Sequence, residues 1–405
     1  MIRRAVVGAV LLALLGAVSA SGVSAAESRL QVVRGVSPTS IKVGGLGDAQ
    51  RYEGADIGAK ARFARANAAG GVNGRTFDYI GFRDDKGVGQ ANQQLGAQLV
   101  EQDQVFAVVP TVTADLGAVK TFTDQKVPYF GWALSSNFCG NTYGFGFTGC
   151  LFPPGGKTTS DAWGVLVKQA LGATPNPTAV LFTENTSSGQ VVLPGLTAGV
   201  KSAGIAVAAA THSLPVPAVG DYEGLANSVL NAKAGQPADA VFVVGGYSNI
   251  VQLQQALRAA GYAGLFTDAI EYDPDLIASS TATAVMLQTA ALESASTNPA
   301  MAQLVADVRA VAPDASIDLS VVAGYFSADL FIAAVQRAGK NLTLTGFLKK
   351  ANKGFTYVVP NTVGPTAFPA AHNEPAPCGS LVRSDGSAYV VLVPYTCGKV
   401  VQVSP

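Results

Sequence analysis

Residues 41–82 read IKVGGLGDAQRYEGADIGAKARFARANAAGGVNGRTFDYIGF, and this stretch decides the fold. Residues 41–46 are a β-branched and glycine run that reads as a strand. Residues 53–68 read as a helix with Ala55, Gly58, Ala61, Ala64 and Ala68 on one small-residue face. Gly70-Gly71 stops it, as glycine commonly does at a helix C-terminus, and residues 76–82 form the next strand. The alternation continues outward: helix over 89–101, strand over 105–109 bounded by Pro110, helix over 114–125, strand over 128–132. It restarts at 178–182 and runs through helices at 189–203, 221–234 and 248–260, with strands at 207–211, 239–244 and 264–267 between and after them. Further helices are expected over 298–311 and 319–337, and strands from residue 388 onward. This βαβ rhythm predicts an α/β protein with two parallel sheets covered by helices, and a chain that crosses between two lobes more than once.

Composition agrees and excludes other classes. The 405 residues are 48% hydrophobic and 13% charged, enough apolar mass for a core in each of two domains and too much for intrinsic disorder. Lys and Arg number 27 against 27 Asp and Glu, with no basic stripe, which argues against nucleic acid as a partner. Residues 1–26 have the layout of a secretory signal peptide: Arg3-Arg4, an apolar run over 5–18, then small residues. The run is too short for a bilayer span of about 20 residues. Cleavage after Ala26 leaves 25 basic and 27 acidic groups, a weakly acidic exported chain. No Cys precedes Cys139, so an N-terminal lipid anchor is not expected. In an oxidising compartment the spacing of Cys139, Cys150, Cys378 and Cys397 favours two local disulfides over the other connectivities, and no zinc pattern exists.

Ligands of parallel α/β sheets bind beyond the carboxyl ends of the strands. The loops there contain Pro110-Thr111-Val112-Thr113, Gly131-Trp132-Ala133-Leu134-Ser135, Gly245-Gly246-Tyr247-Ser248 and Asp268-Ala269-Ile270-Glu271. Hydroxyls and backbone N–H groups beside a helix start suit a carboxylate. An ordinary N-cap by Thr113 and a packing role for Trp132 are the competing readings.

The run Ile41-Lys42-Val43-Gly44, the phrase Asn67-Ala68-Ala69-Gly70-Gly71-Val72-Asn73-Gly74-Arg75 and the pair Asp84-Asp85 resemble the opening of periplasmic binding proteins of the branched-chain amino acid (Leu/Ile/Val) type. Val127-Pro128-Tyr129-Phe130, Gly245-Gly246-Tyr247 and Leu257-Arg258-Ala259-Ala260-Gly261 resemble the family's later landmarks. The resemblance implies two Rossmann-like parallel-sheet lobes joined by a multi-strand hinge, with residues 37–152 plus 291–355 in lobe 1 and 153–290 plus 356–405 in lobe 2. It implies capture of an amino-acid-like, carboxylate or amide ligand by hinge closure and delivery to the membrane permease of an ABC importer, by a monomer without cofactor or metal. The ligand-binding residues it implies are Tyr52, Thr111, Thr113, Trp132, Ala133, Ser135, Tyr247 and Glu271. One departure is Glu184-Asn185-Thr186-Ser187-Ser188-Gly189, where many relatives carry D-x-x-Y-G.

An enzyme finds little support. Gly246-Tyr247-Ser248-Asn249-Ile250 misses a nucleophile elbow at its last position. Gly45-Leu46-Gly47-Asp48-Ala49-Gln50 misses the dinucleotide fingerprint at its third glycine. His212 and His372 are the only histidines, and Asp84-Asp85 reads as a local cap. A sensor partnering a separate receptor is the alternative binding role; a receptor with its own span is not expected, because no later apolar run of about 20 residues is apparent.

Overall fold

The 41–82 unit forms as expected. β1 (Ser40–Gly47) pairs in parallel with β2 (Thr76–Asp84), in the register Ile41↔Phe77, after the chain returns through α1 (Gly54–Ala68). α2 (Gly89–Glu101) leads to β3 (Ala107–Val112), and α3 (Val119–Asp124) to β4 (Tyr129–Gly131) and β5 (Gly144–Gly146). The sheet order is β2-β1-β3-β4-β5, parallel throughout. This computed structural model describes residues 33–270, 272–277 and 283–403. Residues 1–26, expected to be a signal peptide, and the candidate Glu271 lie outside the described residues.

Around Pro110 two boundaries differ from expectation, for one local reason. Pro110 lies inside central strand β3, where its missing N–H should break the ladder. The registers to both neighbours shift around it, between Gly44 and Leu46 on one side and between Val108 and Thr111 on the other. The strand therefore continues to Val112, and the helix expected from residue 114 begins only at Val119. The intervening loop spends its groups on neighbours: Asp115 Oδ2 accepts from Gly89 N at 3.1 Å, and Asn92 Oδ1 accepts from Ala118 N at 3.0 Å.

The chain then crosses to a second sheet. β6 (Thr158–Ser160) and α4 (Ala162–Ala170) lead to β7 (Thr178–Glu184), α5 (Ser187–Ser202), β8 (Ala206–Leu214), α6 (Tyr222–Leu230), β9 (Ala240–Val244), α7 (Tyr247–Ala259), β10 (Leu265–Asp268) and β11 (Thr283–Leu287). It crosses back into α8 (Pro299–Val311), α9 (Leu319–Ala338), α10 (Leu344–Ala351) and the hairpin β12 (Phe355–Val359) and β13 (Val363–Phe368). A third crossing supplies β14 (Cys378–Ser384), β15 (Tyr389–Cys397) and β16 (Val400–Gln402). The second sheet has the order β15-β14-β11-β10-β9-β7-β8, parallel from β8 to β11 and antiparallel at β14 and β15. β16 pairs with β6, so the chain's last strand lies on the first crossing.

The first lobe is organised around α9, which is buried along most of its length, with Gln336 and Arg337 exposed in its last turn. Phe331 projects among the rings of Phe63, Phe77, Phe106, Phe130 and Phe347, with centroids 5.1–6.3 Å apart. α9 is itself an apolar run of 20 residues, contrary to the expectation that none follows the leader. About 78% of its most apolar window is buried in protein, so it is a core helix. Phe355, Tyr357, Val363 and Phe368 join this same core, so the hairpin after residue 355 packs with lobe 1 although the sequence reading assigned 356–405 to lobe 2. Both disulfides form between the expected partners, Cys139–Cys150 and Cys378–Cys397.

Candidate functional site

The first two crossings leave from the carboxyl edges of the sheets, and the third leaves the β12–β13 hairpin and arrives at that edge of the second sheet. The first follows β5 and occupies residues 147–157, the second follows β11 from Gln288, and the third runs over 369–377 into β14, which pairs beside the end of β11. They are bonded to one another. Cys150 N donates to Glu374 O at 3.0 Å, Ala376 N to Thr148 O at 2.7 Å, and Ser380 Oγ to Thr289 O at 2.7 Å. The Cys139–Cys150 bridge ties the first crossing to lobe 1. Cys378, directly opposite Cys397 across β14 and β15, ties the third to lobe 2.

On the lobe 1 edge, β1, β3 and β4 end side by side: Asp48 N donates to Val112 O at 3.1 Å, and Thr111 lies beside Gly131. Thr111, Thr113 and Ala133 are fully buried. Thr113 joins a buried network in which Asp85 accepts from Asn92 Nδ2 at 2.6 Å and from Gly87 N at 2.8 Å. Burial outweighs those hydrogen bonds and raises the Asp85 carboxyl above its ordinary range. Asp85 is thus a local anchor, as the cap reading expected. Ser135 caps a short 3₁₀ turn by accepting from Asn137 N at 3.3 Å. Tyr52 and Trp132 meet edge to face, centroids 6.0 Å apart. Trp132 is 5% exposed and packed into the first core, yet its indole Nε1 has no hydrogen-bond partner among the described residues.

On the lobe 2 edge, Glu184 at the end of β7 accepts from Gly246 N at 2.6 Å and from Asn249 Nδ2 at 2.9 Å. The carboxylate therefore caps the positive end of α7, a favourable charge–dipole arrangement. It fixes where α7 starts, and the first residue of that helix is Tyr247, 41% exposed. The structure thus joins Tyr52, Thr111, Thr113, Trp132, Ala133 and Ser135 on one edge and sets Tyr247 on the other.

Between the lobe 2 edge and the crossings lies a cavity of about 230 Å³ that the sequence reading did not anticipate. Its walls are Trp163 of α4, Val191, Val192, Gly195 and Leu196 of α5, Val244, Ala269 and Met286 at the strand ends, and segments of all three crossings: Leu151–Ser160 in part, Gln288, and Pro375 with Ala376. None of the 18 lining residues is charged. Gly195 opens one wall, since a side chain there would reach Thr159 at ordinary contact distance. Trp163 is held upright by Nε1 donating to Thr267 Oγ1 at 2.9 Å and by its edge-to-face contact with Phe242. The local sequence sign of a break in this region is the run Pro153-Pro154-Gly155-Gly156 in the first crossing; α4, short and close behind it, gave no signal.

Among the described residues, no group of three or more His, Cys, Asp or Glu side chains is placed to hold a metal ion. His372 is buried between Phe145 and Phe368, with Nε2 2.5 Å from Asn352 Oδ1.

No curated protein sequence matches the chain significantly. Solved structures do match in fold. A fatty acid ABC transporter substrate-binding protein from Thermomonospora curvata is 19% identical, with TM-score 0.67 over 91% of this chain and 95% of the other. A possible leucine/isoleucine/valine-binding protein from Rhodopirellula baltica SH 1 is 15% identical, TM-score 0.65, over 87% and 96%. A solute-binding protein of an ABC transporter from Rhodopseudomonas palustris BisB5, in complex with 3,4-dihydroxy benzoic acid, is 15% identical, TM-score 0.65, over 90% and 98%. Residues 40–388 match the family described as periplasmic binding protein. With a parallel sheet and a mostly parallel one, hydrogen-bonded crossings between them and a cavity at their junction, the chain belongs to the periplasmic binding protein family.

Proposed function

We propose that this chain is an exported, extracytoplasmic solute-binding protein that captures one small molecule between its lobes and hands it to the permease of an ABC importer. The observation that carries the reading is the cavity at which both the strand ends of lobe 2 and all three crossings meet. A molecule there touches every segment that a hinge motion must bend, so binding and closure are coupled. Solute capture requires no catalytic group, and the chain acts as a monomer without a cofactor.

None of Tyr52, Thr111, Thr113, Trp132, Ala133, Ser135 and Tyr247 lines that cavity in this structure; in this proposal hinge closure brings Tyr52 and Trp132, with the unpaired Trp132 Nε1 as a donor, against the ligand from lobe 1, and Tyr247 covers it from lobe 2. Ala133 and Ser135 shape the lobe 1 side, while Thr111 and Thr113 hold the loop behind it. Glu271 contributes from the loop after β10. The domain division follows the crossings: lobe 1 takes in the β12–β13 hairpin and lobe 2 takes β14 to β16.

The test is a thermal-shift and intrinsic-fluorescence screen of the mature protein against amino acids, amides, aliphatic acids and aromatic acids. A compound at 100 times its Kd adds about 2.7 kcal/mol of stability. The only tryptophans are Trp132 and Trp163, so fluorescence reports both lobe edges. With a ligand in hand, Tyr247→Ala is expected to weaken binding by about 1–3 kcal/mol while leaving the apo melting temperature unchanged. Turnover of a compound without stabilisation by any would refute the reading, and unchanged affinity in Tyr247→Ala and Thr111→Ala together would refute the site.

A further inference from the structure

We infer that Val88 of lobe 1 and Val216 with Val219 of lobe 2 form an apolar latch, two loop tips that meet across the mouth of the cleft when the hinge closes. The inference rests on the hinge closure of the solute-binding reading above and adds a device that favours the closed state without touching the ligand.

Exposure marks the residues. Eight large apolar side chains are exposed among the described residues, and six of them, Val88, Val191, Val216, Val219, Tyr247 and Ile270, follow the carboxyl ends of strands, in the loop or the opening turns of the next helix. Single exposed valines need no explanation, but their concentration on the edges where the lobes join does. Val191 lines the cavity, and Tyr247 and Ile270 follow the inner strands β9 and β10. Val88, 52% exposed, follows β2, and Val216 and Val219, 57% and 80% exposed, follow β8; these are the border strands of their sheets. Exposures this high leave the three valines largely in water.

Topology sets the two borders against each other. The first sheet runs β2-β1-β3-β4-β5 and its crossing follows β5; the second, counted from the strand that starts its crossing, runs β11-β10-β9-β7-β8. Each border strand is therefore four strands from its crossing, roughly 19 Å at about 4.8 Å per strand, so the two lever arms about the hinge are equal. Rotation about the crossings brings points at equal radius together, and the loop after β2 meets the loop after β8. Both tips are fixed beforehand. Gly87 N donates to the buried Asp85 Oδ1 at 2.8 Å and Val88 N to Asp85 O at 3.0 Å. Asn249, itself buried, donates from Nδ2 to Pro215 O at 3.1 Å, and Gln252 Nε2 donates to Ala218 O at 2.8 Å, which ties the backbone carrying Val216 and Val219 to α7. Closure removes apolar surface from water between preformed tips, with little loop ordering to oppose it.

The test is cross-linking of the mature chain, whose native cysteines are all paired. Val88→Cys is combined in turn with Val216→Cys, with Val219→Cys and, as the control, with Val390→Cys on β15, at the opposite border of the second sheet. All four positions are exposed, so every variant is expected to melt like the parent before oxidation. Copper phenanthroline on dilute protein is expected to join at least one of the first two pairs within the chain, at least tenfold faster than the control pair, as read by peptide mapping. The linked protein is expected to have a smaller radius of gyration in X-ray scattering than the same variant before oxidation. If neither pair links faster than the control, or if the link leaves the radius of gyration unchanged, the latch is overturned and solute capture stands. A link with the expected compaction, together with a ligand screen in which no compound stabilises the protein, supports the latch and overturns the solute-binding reading instead.

Discussion

Gly324→Ala tests how lobe 1 is held together. Gly324 is in the middle of α9, and a Cβ added there would fall on the Ala55 carbonyl oxygen of α1, well under 3.0 Å away. Gly58 of α1 has the reciprocal relation to the Val321 carbonyl. The two helices therefore cross with backbone against backbone, and no rotamer change can make room for a methyl group. Relief requires moving α1 off α9 by on the order of 1 Å, a gap that forfeits a quarter to a half of each dispersion contact across it. Overpacking a rigid core costs about 1–3 kcal/mol, and a backbone neighbour puts this site at the upper end. Alanine is a better helix former than glycine by about 1 kcal/mol, which offsets part of it. The net expectation is a loss of about 2 kcal/mol, or roughly 4–8 °C in melting temperature. The control is Gly195→Ala in α5, where the new Cβ meets the Thr159 side chain at 3.4 Å, an ordinary contact. That variant keeps the propensity gain and should melt at or slightly above the parent. Thermal and urea unfolding of the two apo variants decide the matter. A Gly324→Ala protein as stable as Gly195→Ala would refute the close-crossing argument.

Two further outcomes follow from single features. Burial lowers His372 from its ordinary 6.5 to about 4. The folded state therefore holds a neutral ring while the unfolded chain gains a proton, so the stability is fully present above pH 6.5 and is lost as pH falls toward 4. The loss is on the order of 3 kcal/mol, and His372→Gln should flatten the melting profile between pH 7 and 4.5 relative to the parent; parallel profiles would refute it. Removing the Cys139–Cys150 bridge by a double Ser substitution frees a loop with a sequence separation of 11, and should destabilise the protein by about 3 kcal/mol in chemical unfolding. A change below about 1 kcal/mol would mean that the loop is held by its packing alone.

Sequence periodicity was sufficient for the parallel βαβ runs of both sheets because the strands and helices in them carry their own local signals. The run of β-branched and aromatic residues in β1, β2, β7 and β9, and glycine stops such as Gly70-Gly71, act within a few residues of themselves. The disulfide partners were legible for the same reason, since each pair closes a short loop. Elements whose existence depends on distant partners left no such mark. β5 and β6 are three residues each and are strands because β4 and β16 lie beside them. The continuation of β3 through Pro110 depends on register shifts in both neighbouring strands.

The binding region divides along the same line. Trp132 and Tyr247 stood out as candidates because strand ends in a parallel sheet are predictable places and aromatics there are conspicuous, whereas Tyr52 was a candidate only through the family resemblance. The sequence could not say that Thr111 and Thr113 are wholly buried, nor that Glu184 Oε1 accepts from Gly246 N at the start of α7. Those facts depend on which side chains arrive from elsewhere in the chain. The cavity is the extreme case: Trp163, Leu196, Gln288 and Ala376 come from four segments up to 213 residues apart, and only the three crossings bring them together. By itself the sequence determined two sheets, their helices and a polarity that puts binding at the carboxyl edges. Tertiary structure decided the shape and charge of the pocket, because a cavity is defined by surfaces that no single segment contains.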